Sequence, residues 1–286
     1  MPQSSPYRLV RLVNGVHSVH SAAHGETFHP VIGPVAEAEA LYVRQLRLVE
    51  RLRAHVGEFV IWDVGLGAAA NALTVLRATR ELPAAVRLVS FDHTLEPLEF
   101  ALAHAEELGY FGGYEAPVGE LIQRHRVSFP DGARTVEWEF HLGDFPSLVR
   151  SLIAAPPHAI LFDAYSPAKN PAMWTQPLFA DVFKLLDPQR PCALPTYSRS
   201  TMLRVSLLLA GFFVGAGHAT GEKEETTIAA NSLALLDEPL NHQWLQRAHR
   251  STSAEPLWEP VYRQARLSGE TWEKLRLHPQ FSTGPG

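Results

Sequence analysis

Phe59–Asn71 reads FVIWDVGLGAAAN, and the rest of the chain is organised around it. Phe59 to Asp63 is a short apolar run of the kind that forms a buried parallel strand. The tight turn Gly65-Leu66-Gly67 follows, and then Ala68-Ala69-Ala70-Asn71-Ala72-Leu73, a strong helix start by propensity. Strand, glycine turn and helix make the first crossover of a doubly wound α/β sheet. Glycines there remove the side chains that would keep a nucleotide-like cofactor away from the backbone. A purely structural βα turn would leave the same trace, so other residues must decide.

The bulk properties narrow the class. With 286 residues, 46% hydrophobic and 19% charged, the chain is globular and long enough for one large α/β domain with additions. No apolar run is long enough to span a bilayer, and MPQSSPYRLVRLV lacks the apolar core of a signal peptide. The single cysteine, Cys192, precludes an internal disulfide and suits a reducing, cytoplasmic setting. A net charge of −5 argues against a strong nonspecific nucleic-acid binder, though a local basic patch is compatible with it. Fourteen histidines are scattered, with His17, His20, His24 and His29 the densest group. No HExxH or paired CxxC accompanies them, so no metal site is expected.

Along the chain, Arg8–Ser21 alternates apolar and polar residues around Asn14-Gly15, which predicts a small N-terminal hairpin with a type I′ turn. Ala36–Arg53 has helical amphipathic spacing. After the central strand and its helix to about Arg80, strands are expected at Val86–Phe91, Thr135–Leu142, His158–Phe162 and Cys192–Tyr197, with helices between them. Tyr110–Asp131 reads as an irregular insertion with a short helix around Leu121. Phe212–Ala219 and Glu225–Ala230 look like an antiparallel pair, and the tail carries helical patterns at Asn241–His249 and Thr271–Leu277. Parallel β/α units closed by an antiparallel hairpin are the pattern of a class I S-adenosylmethionine methyltransferase, an α/β Rossmann-like sheet. The simplest division is an N-terminal hairpin and loop over 1–35, a methyltransferase domain over 36–236 and a helical extension over 237–286.

Ligands of open α/β sheets bind outside the carboxyl ends of the strands. Four acids fall there: Asp63 near the end of the first strand, Asp92 at the end of the second, Asp144 after the third and Asp163 at the end of the fourth. Asp92 would accept from ribose hydroxyls, and Asp144 from the exocyclic amine of an adenine. Any one of them could instead be a helix N-cap. Three successive strands closed by acids around a glycine turn favour a cofactor site. Asp163 opens DAYSPAKNPAMW, a polar loop stiffened by Pro167 and Pro171, placed where substrate contacts belong. A carboxylate there can orient an attacking amine and help take the proton it releases. Lys169 and Asn170 could contact a phosphate or base, or form a solvated loop face. Trp174 reads as a packing residue.

The stretch DAYSPAKNPAMWTQPLF closely resembles the D-x-F-x-P-A-K-N-P-x-M-W signature of the MnmC/MnmD-type methyltransferases. The resemblance covers roughly residues 8–231. GETFHPVIGPVAEA resembles the loop and helix before the family's cofactor strand, and DVGLGAAAN its E-x-G-F-G-T-G-x-N loop. SFDHTLEPLEFALAH resembles its S-x-E-x-x-P-L segment, HLGD its F-G-D, and TYSRSTMLRVSLLLAGF its T-[FY]-[TS] strand end and following helix. The resemblance implies S-adenosylmethionine as cofactor, held by Asp63, Gly65, Gly67, Asn71, Asp92 and Asp144. It implies Asp163 as the catalytic residue, with Lys169, Asn170 and Tyr197 at the substrate. The implied reaction is methylation of the primary amine of 5-aminomethyl-(2-thio)uridine at the tRNA wobble position. A separate FAD-dependent enzyme would supply that amine. A small-molecule amine as acceptor, or a non-catalytic scaffold of the same fold, are the alternatives. The chain departs from the family at Ala69, where the third glycine stands. It departs again after Gly221, where the basic G-x-K-R-E-M becomes Gly221-Glu222-Lys223-Glu224-Glu225-Thr226.

Overall fold

The computed structural model describes residues 5–221 and 224–282; Glu222 and Lys223 of the altered segment lie outside them. The strands are β1 (Tyr7–Arg11), β2 (His17–Ser21), β3 (Glu26–Thr27), β4 (Glu58–Val64), β5 (Ala85–Asp92) and β6 (Arg126–Asp131). They continue with β7 (Arg134–Leu142), β8 (Ala159–Phe162), β9 (Ala193–Thr196), β10 (Phe213–Gly217), β11 (Thr226–Ala230) and β12 (Glu238–Pro239). β1–β3 form a small antiparallel sheet. The other nine run in the order β12-β10-β11-β9-β8-β4-β5-β7-β6. β7, β5, β4, β8 and β9 are parallel, and β11 and β10 close them antiparallel. The expected sheet, parallel with an antiparallel C-terminal hairpin, is therefore present.

β4 sits at the centre because both of its faces are apolar. Phe59 and Ile61 join one core with Leu41, Tyr42, Leu73, Leu76, Leu98 and Leu121. Val60, Trp62 and Val64 join the other with Phe162, Phe179, Leu203 and Leu207. β5 lies on one side of β4 and β8 on the other, so the chain reverses direction across the sheet there. That switch point opens a crevice at the carboxyl ends of the strands.

Several expectations are corrected. The hairpin of β1 and β2 is joined by five residues, not by a two-residue turn at Asn14-Gly15. Arg11 pairs with His17, Leu12 N–H bonds Val16 O, and only Gly15 of the loop is left-handed. A third strand, β3, extends this sheet. The single helix expected over Ala36–Arg53 is three pieces: Pro34–Ala38, a π-helical turn Glu39–Arg44 and Leu48–Ala54. The break falls at Arg47, whose backbone is left-handed at φ 51°. The irregular insertion holds a regular helix, Glu115–Arg124, and the edge strand β6, paired antiparallel with β7. Pro130 disguises β6 in the sequence; an edge strand tolerates it because the missing N–H can face away from the ladder.

The tail is more than an outer layer. Trp244, Leu245, Leu257, Leu275 and Phe281 belong to the second core. The Gln280 side-chain amide accepts from Val214 N–H at 2.8 Å and donates to Val214 O and Leu240 O. It thus satisfies backbone groups of β10 beyond the two-residue pairing with β12.

Candidate active site

The turn after β4 is tight because three of its residues are left-handed: Gly65 (φ 92°), Gly67 (φ 51°) and Ala69 (φ 60°). A Cβ on Gly65 would stand 2.7 Å from Asp163 O, and one on Gly67 3.3 Å from the Phe28 ring. The glycines therefore let the turn press against the end of β8 on one side and the N-terminal sheet on the other. Ala69 takes at some cost a conformation that glycine takes freely, on the order of 1 kcal/mol.

Beside this turn lies a cavity of about 550 Å³. Its floor is Gly65–Ala68 and Asn71, one wall is Phe91, Asp92, His93, Gly143 and Asp144, and the opposite wall is Asp163–Ser166, Asn170, Met173 and Tyr197. The roof is the segment Gly25–Val31 of the N-terminal sheet and the loop after it. The volume is in the range of small-molecule sites, about 300–1,000 Å³.

Of the acids expected at strand ends, three line the cavity. Asp92 accepts from Gly67 N–H at 2.8 Å and from His93 N–H at 2.7 Å, with His93 Nδ1 2.9 Å away. The carboxylate clamps the glycine turn and still lines the cavity, with further lone pairs to offer. Its hydrogen bond holds His93 above its ordinary pKa, against the effect of partial burial. Asp144 caps the helix Phe145–Ser151 and accepts from Ser147 Oγ at 2.7 Å. Asp163 Oδ2 accepts from Asn71 Nδ2 at 2.7 Å.

Asp63 is a correction. It does not line the cavity; it is 1% exposed and lies on the face of β4 that carries Phe59 and Ile61. A buried chain runs from Trp138 Nε1–H to Ser90 Oγ and from Ser90 O–H to Asp63 Oδ2, each 2.9 Å. Burial pushes its carboxyl up to about 7, a rise that the Ser90 hydrogen bond only partly offsets. Lys169 is exposed and outside the cavity lining, whereas Asn170 and Tyr197 line it. Tyr197 O–H donates to Ala164 O at 3.0 Å and Trp174 Nε1–H to Tyr165 O at 2.7 Å, so both rings pin the backbone that follows Asp163.

The residues missed in the sequence come from the N-terminal region. Glu26 accepts from Ser166 N–H and O–H, tying β3 to the polar loop. His24 stacks on Tyr165 with centroids 4.0 Å apart. His29, left-handed at φ 48°, places its ring between Asp163 (Nε2–Oδ2 3.6 Å) and Glu37 (Nδ1–Oε1 3.7 Å). Burial works against its charged form, but the two carboxylates outweigh it and raise the imidazole to about 8. The only signal for these residues was the segment GETFHPVIGPVAEA and the local density of histidines. Among the described residues, no group of three His, Cys, Asp or Glu side chains is placed to hold a metal ion, and no helix is long and apolar enough to cross a membrane.

The donor set fits S-adenosylmethionine. The turn approaches the cavity through backbone, two acids, Asp92 and Asp144, line one wall, and Asn71 Oδ1 is buried without a hydrogen-bond partner. Fold and site together define an S-adenosylmethionine-dependent methyltransferase. A family profile described as an S-adenosyl-L-methionine-dependent methyltransferase matches residues 114–232. Among such enzymes this chain is MnmC-like. It is 29% identical over 209 residues to the tRNA 5-methylaminomethyl-2-thiouridine biosynthesis bifunctional protein MnmC of Burkholderia mallei, covering 68% of this chain and 31% of that protein. It is 27% identical over 249 residues to the MnmC of Methylibium petroleiphilum, covering 82% of this chain and 36% of that one. The chain thus spans about a third of the length of these curated relatives. The crystal structure of MnmC2 from Aquifex aeolicus shares the fold, with a TM-score of 0.70 over 96% of this chain and 84% of that one at 23% identity.

Proposed function

We propose that this chain transfers a methyl group to the primary amine of 5-aminomethyl-(2-thio)uridine at the tRNA wobble position, with Asp163 as the catalytic residue. The observation that carries the reading is the contact between Asp163 and the glycine turn. The carboxylate accepts from Asn71 on the helix that follows the turn, and its own carbonyl abuts Gly65. Acceptor-orienting group and cofactor-binding turn are thereby fixed to one another, which alignment for displacement requires. The names of the matching relatives support the acceptor.

When bound, the cofactor supplies an electrophilic methyl on sulfonium. An amine that took up this methyl would carry one proton too many, which the chain's own residues must accept. Asp163 accepts a hydrogen bond from the amine N–H, which turns the nitrogen lone pair towards the methyl, and takes that proton afterwards. Gly65, Gly67 and Asn71 would hold the methionine end, Asp92 the ribose and Asp144 the adenine. Asn170 and Tyr197 shape the acceptor pocket, and Lys169, at the exposed rim of the loop, suits a phosphate. An FAD-dependent step upstream would supply the aminomethyl group, and a tRNA acceptor would put the reaction in the cytoplasm.

Mass spectrometry of tRNA nucleosides with and without the gene tests this reading. Accumulation of 5-aminomethyl-(2-thio)uridine on deletion is expected. An unchanged nucleoside profile would refute it.

A further inference from the structure

Asp92 has two partners to serve. A carboxylate offers four lone pairs, two on each oxygen. Asp92 Oδ2 accepts from Gly67 N–H at 2.8 Å, and Oδ1 takes both the backbone N–H of His93 at 2.7 Å and the imidazole Nδ1 at 2.9 Å. Among the described residues these contacts leave one acceptor position, on Oδ2, whereas the vicinal hydroxyls of a ribose bring two donors. The two backbone contacts are fixed by the glycine turn and by the course of the chain. The imidazole contact is not: the His93 side chain is 54% exposed at the cavity wall, and a rotation about its side-chain bonds frees a position on Oδ1 as well. From this competition we infer that His93 is a positioning residue of the cofactor site: its imidazole holds a carboxylate oxygen that the ribose also claims, and cofactor binding turns the ring away. The inference rests on Asp92 as the ribose acceptor.

Displacing the ring changes its hold on a proton. The hydrogen bond to Asp92 is what chiefly keeps His93 above its ordinary pKa, and a ring turned away from Asp92 loses that bond. The other charges around it stay in place. Asp144, after β7, and Glu96, in the first turn of the helix Glu96–Ala103, favour the charged ring. His24, between β2 and β3, faces it edge-on with centroids 6.2 Å apart. Burial, and then the charge of His93, hold His24 below its ordinary value, so His24 is neutral where His93 titrates. A charged His93 therefore competes for Asp92 most strongly at low pH, and a ligand that displaces it drives off part of a proton. Affinity then rises as pH rises through the titration of His93, by at most about tenfold per pH unit for one proton. A ring that merely packed against the cavity wall would give no such slope.

Calorimetry with 5′-methylthioadenosine tests this without any acceptor, because that nucleoside carries the ribose and the adenine but no ionisable amine of its own. For the full chain its Kd should fall by about two- to fivefold between about pH 6 and about pH 8.5, and buffers of different ionisation enthalpy should register proton release on binding. His93→Phe keeps a ring against His24 without donor or charge. At about pH 6 it should bind the nucleoside about two- to fivefold more tightly than the unsubstituted chain, lose the proton release, and match that chain at about pH 8.5. His93→Gln, which retains a donor but no charge, should likewise lose the slope. His29, with its imidazole raised to about 8, titrates in the same range, so the variants decide rather than the slope alone. Weaker binding by His93→Phe at every pH, or a proton release that persists in it, overturns the inference. Asp92→Asn reads the ribose contact by itself, and a loss of affinity is expected. Unchanged affinity there would defeat the ribose role and the inference with it, whereas a weakened Asp92→Asn beside an unaltered His93→Phe would defeat the inference alone.

Discussion

At the scale of single residues, Asp163 carries the proposed chemistry and Ala69, in the turn it faces, a conformational cost. Asp163→Asn preserves the shape and the reach to Asn71 but cannot take a proton. We expect kcat to fall by about 10²–10³ in single-turnover methyl transfer, with cofactor affinity by calorimetry little changed. Ala69 occupies a left-handed position (φ 60°) where the resembling family has glycine. Ala69→Gly should therefore stabilise the chain by about 0.5–1 kcal/mol in urea unfolding, a gain limited by the extra freedom glycine brings to the unfolded state. Asp63 and His29 both have folded-state values above their unfolded ones, at about 7 and about 8. For such groups stability is full below the unfolded value and is lost as pH rises through the folded one. The loss runs across about pH 4–7 for Asp63 and about pH 6.5–8 for His29, at no more than about 1.4 kcal/mol per pH unit each. Asp63→Asn should flatten the lower part of the urea-midpoint profile and leave the upper part in place.

At the scale of elements, the far edge of the sheet is held by charge as much as by packing. At the β6–β7 turn, Asp131 pairs with Arg134 at 3.2 Å and Arg80 at 3.1 Å and accepts from Tyr114 O–H at 2.8 Å. Arg134 is buried and donates also to Thr79 Oγ1 and Leu76 O. Asp131→Ala would strand that guanidinium, and a loss of about 3–5 kcal/mol is expected in urea unfolding. Calorimetric cofactor affinity of the folded fraction should be unchanged, because the cluster lies away from the cavity. Most elements were legible in the sequence, since β4, β5 and β8 announce themselves as apolar runs ending in acids. β6 was not, because Pro130 and its exposed alternate residues suppress the pattern. The break at Arg47 was not either, because periodicity alone does not register a left-handed residue inside an amphipathic stretch.

At the scale of the whole molecule, the two ends of the chain do different work. The N-terminal sheet roofs the cavity with Glu26, Phe28 and His29, while the tail completes the opposite core with Trp244, Leu257, Leu275 and Phe281. A chain ending at Leu240 would expose that core and leave Val214 without its Gln280 partners. We expect it to lose cooperative thermal unfolding. A chain lacking only the segment before Phe28 should still unfold cooperatively but bind cofactor weakly, which calorimetry would register. The sequence by itself determined the sheet, the switch point, the glycine turn and three acids of the site. These follow from hydrophobic patterning and from residues that close strands, both of which are local. The tertiary structure alone decided that Asp63 faces inward, that Lys169 stands clear of the cavity and that His29 stands against Asp163. Each of those depends on which face a side chain takes, or on a contact between residues far apart in the chain. Spacing carries no record of either.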